Sequence, residues 1–291
     1  MIFETAQEWR SAPEKRVALF GMSGLGKTHV SNILRRSGAW FHYSVDYRIG
    51  SRYLIEEIND NLKREAMKNP YLADLLRSDS IDITARLRFE NLAPLSAWLG
   101  KPGNPARGGL QIGEYRHRQA LHRNAEIAAM HDCPRFMARA RALYGYPHFV
   151  CDTSGSFCEV VEPDDPQDPV LAQLSRNLLL VWIESGPEHG KKLTERFRRA
   201  PKPMYYPPAL LDRLWKEYLA AGNVPEGDVD PDDFAVFAYR RALAARQPRY
   251  RAIAENWGLG VSADDIATVR DEADFVDVIA RAITDVSRAR A

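Results

Sequence analysis

The eight residues Gly21-Met-Ser-Gly-Leu-Gly26-Lys27-Thr28 constrain this 291-residue chain more than any other stretch. They match G-x-x-x-x-G-K-[ST]. They follow the apolar run Arg16-Val17-Ala18-Leu19-Phe20. They precede a segment in which Val30, Ile33 and Leu34 share one helical face and Gly38 supplies a stop. A strand, a glycine-rich turn and a helix in that order aim the helix's first N–H groups and positive dipole end at whatever the turn encloses. The glycines let backbone amides wrap an anion without Cβ clashes. On this reading Gly21, Ser23, Gly24, Leu25, Gly26, Lys27, Thr28 and His29 hold nucleotide phosphates. Lys27 reaches the β- and γ-phosphates, and the Thr28 hydroxyl ligates magnesium.

The rest of the chain alternates strand and helix signals. Trp40 to Val45 is aromatic and β-branched and reads as a second strand, and Pro147 to Cys151 reads as a third, ending at Asp152. Leu178 to Ile183 is a continuous apolar run suited to a buried parallel strand, and Gly258 to Ser262 is a weaker last strand. Helices are expected at 51–68, 71–77, 113–130, to about 143, 187–199, 209–221, 232–246, 249–256 and from about 271. The first 14 residues read as a peripheral lead-in, and residues 81–112 have no clear periodicity. Strands separated by helices imply an α/β fold, a parallel sheet with helices on both faces. The organisation expected is one domain over 1–291, with a helical insertion at about 51–145 and a basic lid at about 187–208.

Charge narrows the function. Net charge is +1, from 40 basic and 39 acidic residues, which argues against a generally basic nucleic-acid binder. Residues 101–150 nevertheless hold eight Lys/Arg against three Asp/Glu, and residues 191–216 hold eight against two. Two basic blocks in a neutral chain fit a site that receives a multiply charged anion. The longest uncharged apolar run, Leu178 to Ile183, falls far short of the roughly 20 residues of a membrane span. The first ten residues lack an apolar stretch, so no ordinary secretory signal is expected. Three cysteines, Cys133, Cys151 and Cys158, without ligand spacing point to a reducing cytoplasm rather than a zinc site.

A magnesium-dependent phosphate site needs a partner carboxylate at another strand end. Asp152 meets that requirement and would hold magnesium through water. Asp152-Thr-Ser-Gly155 also fits D-x-x-G, but no N-K-x-D or T-K-x-D follows for guanine, and no LSGGQ-like element supports a transporter ATPase. Glu114, Arg118, His122 and Glu126 share one helical face at i, i+4 spacing, which predicts a surface ion ladder. A substrate subsite from Arg107 through Arg116, Arg118 and His122 is the alternative. Cys151 and Cys158 read as small buried apolar residues.

With these parts in place the chain resembles the small-molecule kinases of the phosphate-loop class, the shikimate, gluconate and adenylylsulfate kinases. Their second strand ends in a D-x-D-like motif; Ser44-Val-Asp46-Tyr-Arg48 stands there, so only Asp46 is carried over, and Arg48 resembles the arginine that follows in adenylylsulfate kinases. The resemblance implies Asp46 as general base or substrate anchor, with Arg48, Arg116 and Gly155 on the substrate side. Glu195-Arg196-Phe-Arg198-Arg199-Ala-Pro201-Lys-Pro203 resembles the family's arginine-rich lid, implying Arg196, Arg198 and Arg199 as phosphate clamps. Arg249-Tyr250-Arg251-Ala-Ile-Ala resembles its late helix, and Val261 to Val269 its last strand and adenine loop.

The activity implied is ATP- and magnesium-dependent phosphoryl transfer to a small, hydroxyl-bearing, anionic acceptor. Two other readings remain open from sequence. One is a polynucleotide 5′-kinase-like enzyme whose 101–150 block tracks a strand. The other is an ATP-binding switch or ATPase whose insertion meets a partner.

Overall fold

The computed structural model describes residues 3–290. Five parallel strands form one sheet: β1 Arg16–Phe20, β2 Trp40–Ser44, β3 His148–Asp152, β4 Leu179–Glu184 and β5 Gly258–Ser262, in the order β2-β3-β1-β4-β5. All five fall where the residue pattern places them. Val17 to Phe20 and Leu179 to Ile183 are buried throughout, because a central parallel strand is covered on both faces. Helices pack around the sheet: Lys27–Arg36 on β2 and β3, Cys133–Tyr144 on β2 and β3, Pro169–Asn177 on β4, and Glu272–Arg290 on β5. The architecture is α/β, as expected.

Register and connection order fix where a ligand can sit. Leu19 pairs with Asp152 across β1–β3, and Phe20 with Trp182 across β1–β4. The chain leaves β1 towards β2 on one side and leaves β4 towards β5 on the other. Open parallel sheets bind ligands outside the carboxyl ends of the strands where the direction of winding reverses. Here that end carries the glycine-rich turn after β1 and Asp152 at the end of β3.

The chain divides into two compact units. One comprises residues 3–45, 126–200 and 238–290 and contains the whole sheet; the other comprises 46–125 and 201–237. Residues 126–145, expected as part of one helical insertion, thus belong with the sheet, and 201–237 joins the second unit. In that unit Lys101 pairs with Asp232, Arg107 with Asp230, and Trp215 packs edge-on against Phe234.

Three local expectations are corrected. The lead-in contains a helix, Ala6–Ser11, with a Thr5/Glu8 capping box and a fully buried Trp9 whose Nε1 donates to the Val276 carbonyl at 2.9 Å. The break expected at Pro248 is absent: one helix runs Pro231–Trp257 through the proline. Its continuity is held from outside, since Arg246 and Tyr250, one turn apart around Pro248, are both anchored on the loop after β3. The face Glu114-Arg118-His122-Glu126 is not a surface ladder. Arg118, His122 and Glu126 are buried, so identical spacing serves packing rather than solvation.

Candidate active site

The turn after β1 has the conformation its glycines permit. Gly21, Gly24 and Gly26 have φ of 136°, 91° and 98°, in a region L side chains avoid. A Cβ on Gly21 would lie 2.7 Å from the Ile183 carbonyl oxygen, and one on Gly24 would overlap the Arg196 guanidinium. The helix Lys27–Arg36 then starts from Gly26 with no side-chain cap and no acid in its first turn. Its leading N–H groups are left without a capping side chain at the positive end of the dipole, the arrangement that binds anions. Lys27 is buried, and its Nζ donates to the Gly21 and Met22 carbonyls at 2.8 and 3.1 Å. Leu25 is buried, whereas Ser23, Thr28 and His29 are exposed.

Thr28 and Asp152 come together across 124 positions of sequence. Thr28 Oγ1 donates to Asp152 Oδ2 at 2.6 Å, and Asp152 is buried. His42, inside β2 and fully buried, brings Nε2 to 3.8 Å from the same Oδ2. Among the described residues no group of three or more His, Cys, Asp or Glu is placed to hold a metal. Thr28 and Asp152 are oxygen donors of the kind magnesium takes, with phosphate oxygens and waters completing an octahedron. The pair therefore fits the ion as part of its shell.

The loop after β3 is held from several directions. The Thr153 N–H and Oγ1 both donate to the Leu19 carbonyl, at 3.1 and 3.0 Å. Ser154 and Ser156 hydroxyls both donate to Glu126, a fully buried carboxylate on the helix Ile112–His131. The Gly155 carbonyl accepts from Arg246 Nη1 at 3.0 Å and Tyr250 Oη at 2.6 Å. Arg246 also pairs with buried Glu159. Burial raises the Glu159 carboxyl above its ordinary range, against the opposing pull of Arg246, and pushes the Cys158 thiol up to about 12. Cys133, Cys151 and Cys158 are free and buried.

The helix Pro187–Arg199 lies against the glycine-rich turn after β1. Leu193 and Arg196 are the side chains that a Cβ on Gly24 would meet. Phe197 stacks on Tyr239, ring centroids 3.9 Å apart, which fixes the helix on the long helix Pro231–Trp257. Arg196, Arg198 and Arg199 are all exposed, and Arg199 Nη2 lies 3.9 Å from Glu195 on its own helix. Of the three arginines, the structure brings Arg196 to the loop. Past the last strand, a Cβ on Gly26 would meet Ile266 at 3.3 Å.

The expected substrate-side residues divide between the two units. Gly155 stands with the sheet. Asp46 and Arg48 belong to the second unit; they lie on a short helix, Val45–Arg48, that continues as a π turn, Ile49–Tyr53. The Arg48 guanidinium sits 5.5 Å from the Tyr53 ring centroid. Arg116 is exposed and donates from Nε and Nη2 to Asp212 Oδ1 at 3.0 and 2.9 Å. Arg118 donates to Glu114, Asn61 and the Trp98 carbonyl, a structural clamp inside this unit. His122 stacks on Tyr205, centroids 5.6 Å apart, and burial pushes its pKa down to about 4. Tyr115 Oη donates to the Met204 carbonyl at 2.7 Å, and Gln119 accepts the Tyr206 N–H at 2.8 Å. The segment expected as the far end of the lid is thus pinned within the second unit.

Sequence reasoning missed His42, Glu126 with its two serines, and the Arg246–Glu159 pair. Their contacts span up to 110 positions and leave no local pattern. The one available signal was Glu126 itself, an acid at the end of an otherwise basic stretch.

No family model matches the chain, and no curated protein matches its sequence. Among solved structures, a shikimate kinase from Bacteroides thetaiotaomicron, determined at 1.7 Å, aligns over 94% of this chain and 97% of its own, at 15% identity and a TM-score of 0.38. At that score two chains need not share a fold; the α/β assignment rests on the strand order and register above. Among the described residues no helix is long and apolar enough to cross a membrane.

Proposed function

We propose that the chain binds ATP with magnesium on its phosphate loop and transfers the terminal phosphoryl group to a small, hydroxyl-bearing, anionic acceptor. The observation that carries this reading is the Thr28–Asp152 contact of 2.6 Å beside an uncapped helix N-terminus and a buried lysine. A glycine turn that bound nothing would have no need of a carboxylate from another strand aimed at its threonine.

Thr28 directly and Asp152 through water would hold magnesium, which supplies charge neutralisation for the transferred group. The chain's own groups do the rest. Amides of Gly24 to Thr28 receive phosphate oxygens. Lys27 exchanges its two carbonyl contacts for β- and γ-phosphate oxygens, a charge-assisted gain over neutral acceptors. Arg196, set over Gly24, offers a planar fork to the oxygens on which charge spreads. Asp46, two residues past β2, is assigned as the group that takes the acceptor's hydroxyl proton while that oxygen bonds to the γ-phosphorus and the bond to the bridging oxygen breaks. Asp46 and Arg48 rest on the family resemblance and on their position after β2.

The test is a mass-spectrometric comparison of a metabolite pool incubated with the protein, ATP and magnesium. A new phosphorylated product that requires both ATP and magnesium is expected. ADP and free phosphate with no such product would instead favour an ATP-dependent switch.

A further inference from the structure

The loop after β3 meets the turn after β1 at Gly155. Gly155 lies so close to Ser23 that an added Cβ would stand 3.3 Å from both Ser23 N and Ser23 Cβ. The Gly155 carbonyl, meanwhile, uses both lone pairs on donors from the long helix Pro231–Trp257: Arg246 Nη1 at 3.0 Å and Tyr250 Oη at 2.6 Å. Arg246 and Tyr250 stand at i and i+4, so they share one helical face and converge on one acceptor. Thr153 and the Ser154/Ser156 pair fasten the same loop on Leu19 and Glu126. Arg246 is buried in an ion pair with Glu159, and Tyr250 is fully buried.

We propose that Arg246 and Tyr250 are positioning residues. By holding the Gly155 carbonyl they fix the backbone against which Ser23, and with it the anion-binding turn Ser23–Lys27, is seated. This rests on the nucleotide-binding reading of that turn. The helix carrying the two residues contains Pro248 between them. The proline removes one backbone hydrogen bond from that turn, and the two side-chain anchors restore its rigidity from outside. A loop made only for structure would be satisfied by Thr153 and Glu126 alone; a doubly bonded carbonyl at the residue that meets Ser23 fixes the turn as well.

Because the effect passes through Gly155, it appears as coupling. The probe is ADP without magnesium, titrated by calorimetry onto the full-length chain, so that neither acceptor nor phosphoryl transfer enters. Gly155→Ala pushes on Ser23 while the carbonyl is held, and should weaken ADP roughly tenfold, within the range for residues in contact. Tyr250→Phe keeps the ring and the Arg246–Glu159 pair but releases one anchor. In that background Gly155→Ala should cost no more than about threefold, because the loop can now retreat. Tyr250→Phe is used because removing Arg246 would leave Glu159 as an uncompensated buried charge. Circular dichroism melts of each variant check that the fold is kept. If the Gly155→Ala penalty is the same in both backgrounds while the wild-type chain binds ADP, the positioning role is overturned and the nucleotide reading stands. If the wild-type chain fails to bind ADP, both are overturned.

Discussion

Thr28 Oγ1 donates to Asp152 Oδ2 at 2.6 Å, tying the first turn of a helix to the last residue of a neighbouring strand. Leu19 of β1 and Asp152 of β3 are register partners, so the strand that feeds the phosphate loop and the strand that ends in the carboxylate stop side by side. Parallel pairing alone therefore delivers an oxygen-donor pair to the mouth of the loop. That pairing is why a carboxylate from β3 can reach a threonine 124 positions away.

Asp152→Asn should keep the fold, since the amide oxygen still accepts from Thr28, but should raise the magnesium needed for half-maximal turnover by at least about tenfold. That is the usual cost of losing an outer-shell metal partner. A magnesium titration of turnover checks this; an unchanged half-saturation point would reduce Asp152 to a strand terminator.

The lid arginines should separate. Arg196→Gln is expected to lower turnover about 100-fold, comparable to loss of one transition-state donor, with a much smaller change in KM for ATP. All three are exposed, but Arg196 is the one whose guanidinium meets the Cβ position of Gly24; Arg198→Gln and Arg199→Gln should each stay within about twofold, as solvated surface charges do. Steady-state kinetics of the three single variants decides; equal losses at all three positions would contradict the placement of Arg196 over Gly24.

His122 should make the chain acid-sensitive. Burial holds its pKa down at about 4 against an ordinary value of 6.5, so it stays neutral in the folded chain while the unfolded chain binds a proton. Its contribution is fully present above pH 6.5 and is lost as pH falls towards about 4. The total is on the order of 3 kcal/mol. As the pH is lowered across that window the urea midpoint of the wild type should fall relative to that of His122→Phe, which retains a ring to stack on Tyr205. Parallel midpoint curves would show that His122 does not titrate there.

What the residues disclosed, and what they hid, follows from the range of the interactions. All five strands and the glycine-rich turn after β1 were legible because their signals are local: a continuous apolar run at Leu179–Ile183, three glycines before a lysine, a helical face at Val30 and Leu34. Asp152 was legible because it ends such a strand. The ladder Glu114-Arg118-His122-Glu126 was misread because i, i+4 spacing is the same for a wet face and a buried one, and only packing around Arg118 and Glu126 distinguishes them. Pro248 was misread for the opposite reason. Its local preference is to end a helix, and distant anchors at Gly155 override it. Residues 81–87 had no helical period because they lie outside any helix or strand, with alternate side chains half-buried and exposed.

Lys27 is where the proposed chemistry converges, and replacing it is the most direct test. Its ammonium is buried on the Gly21 and Met22 carbonyls, in the turn that would hold the β- and γ-phosphates. Initial rates of ATP turnover, measured for wild type and Lys27→Ala at saturating ATP and magnesium, should differ by at least about 100-fold, with both proteins melting at similar temperatures. Wild-type turnover in the Lys27→Ala protein would contradict phosphoryl transfer at this loop.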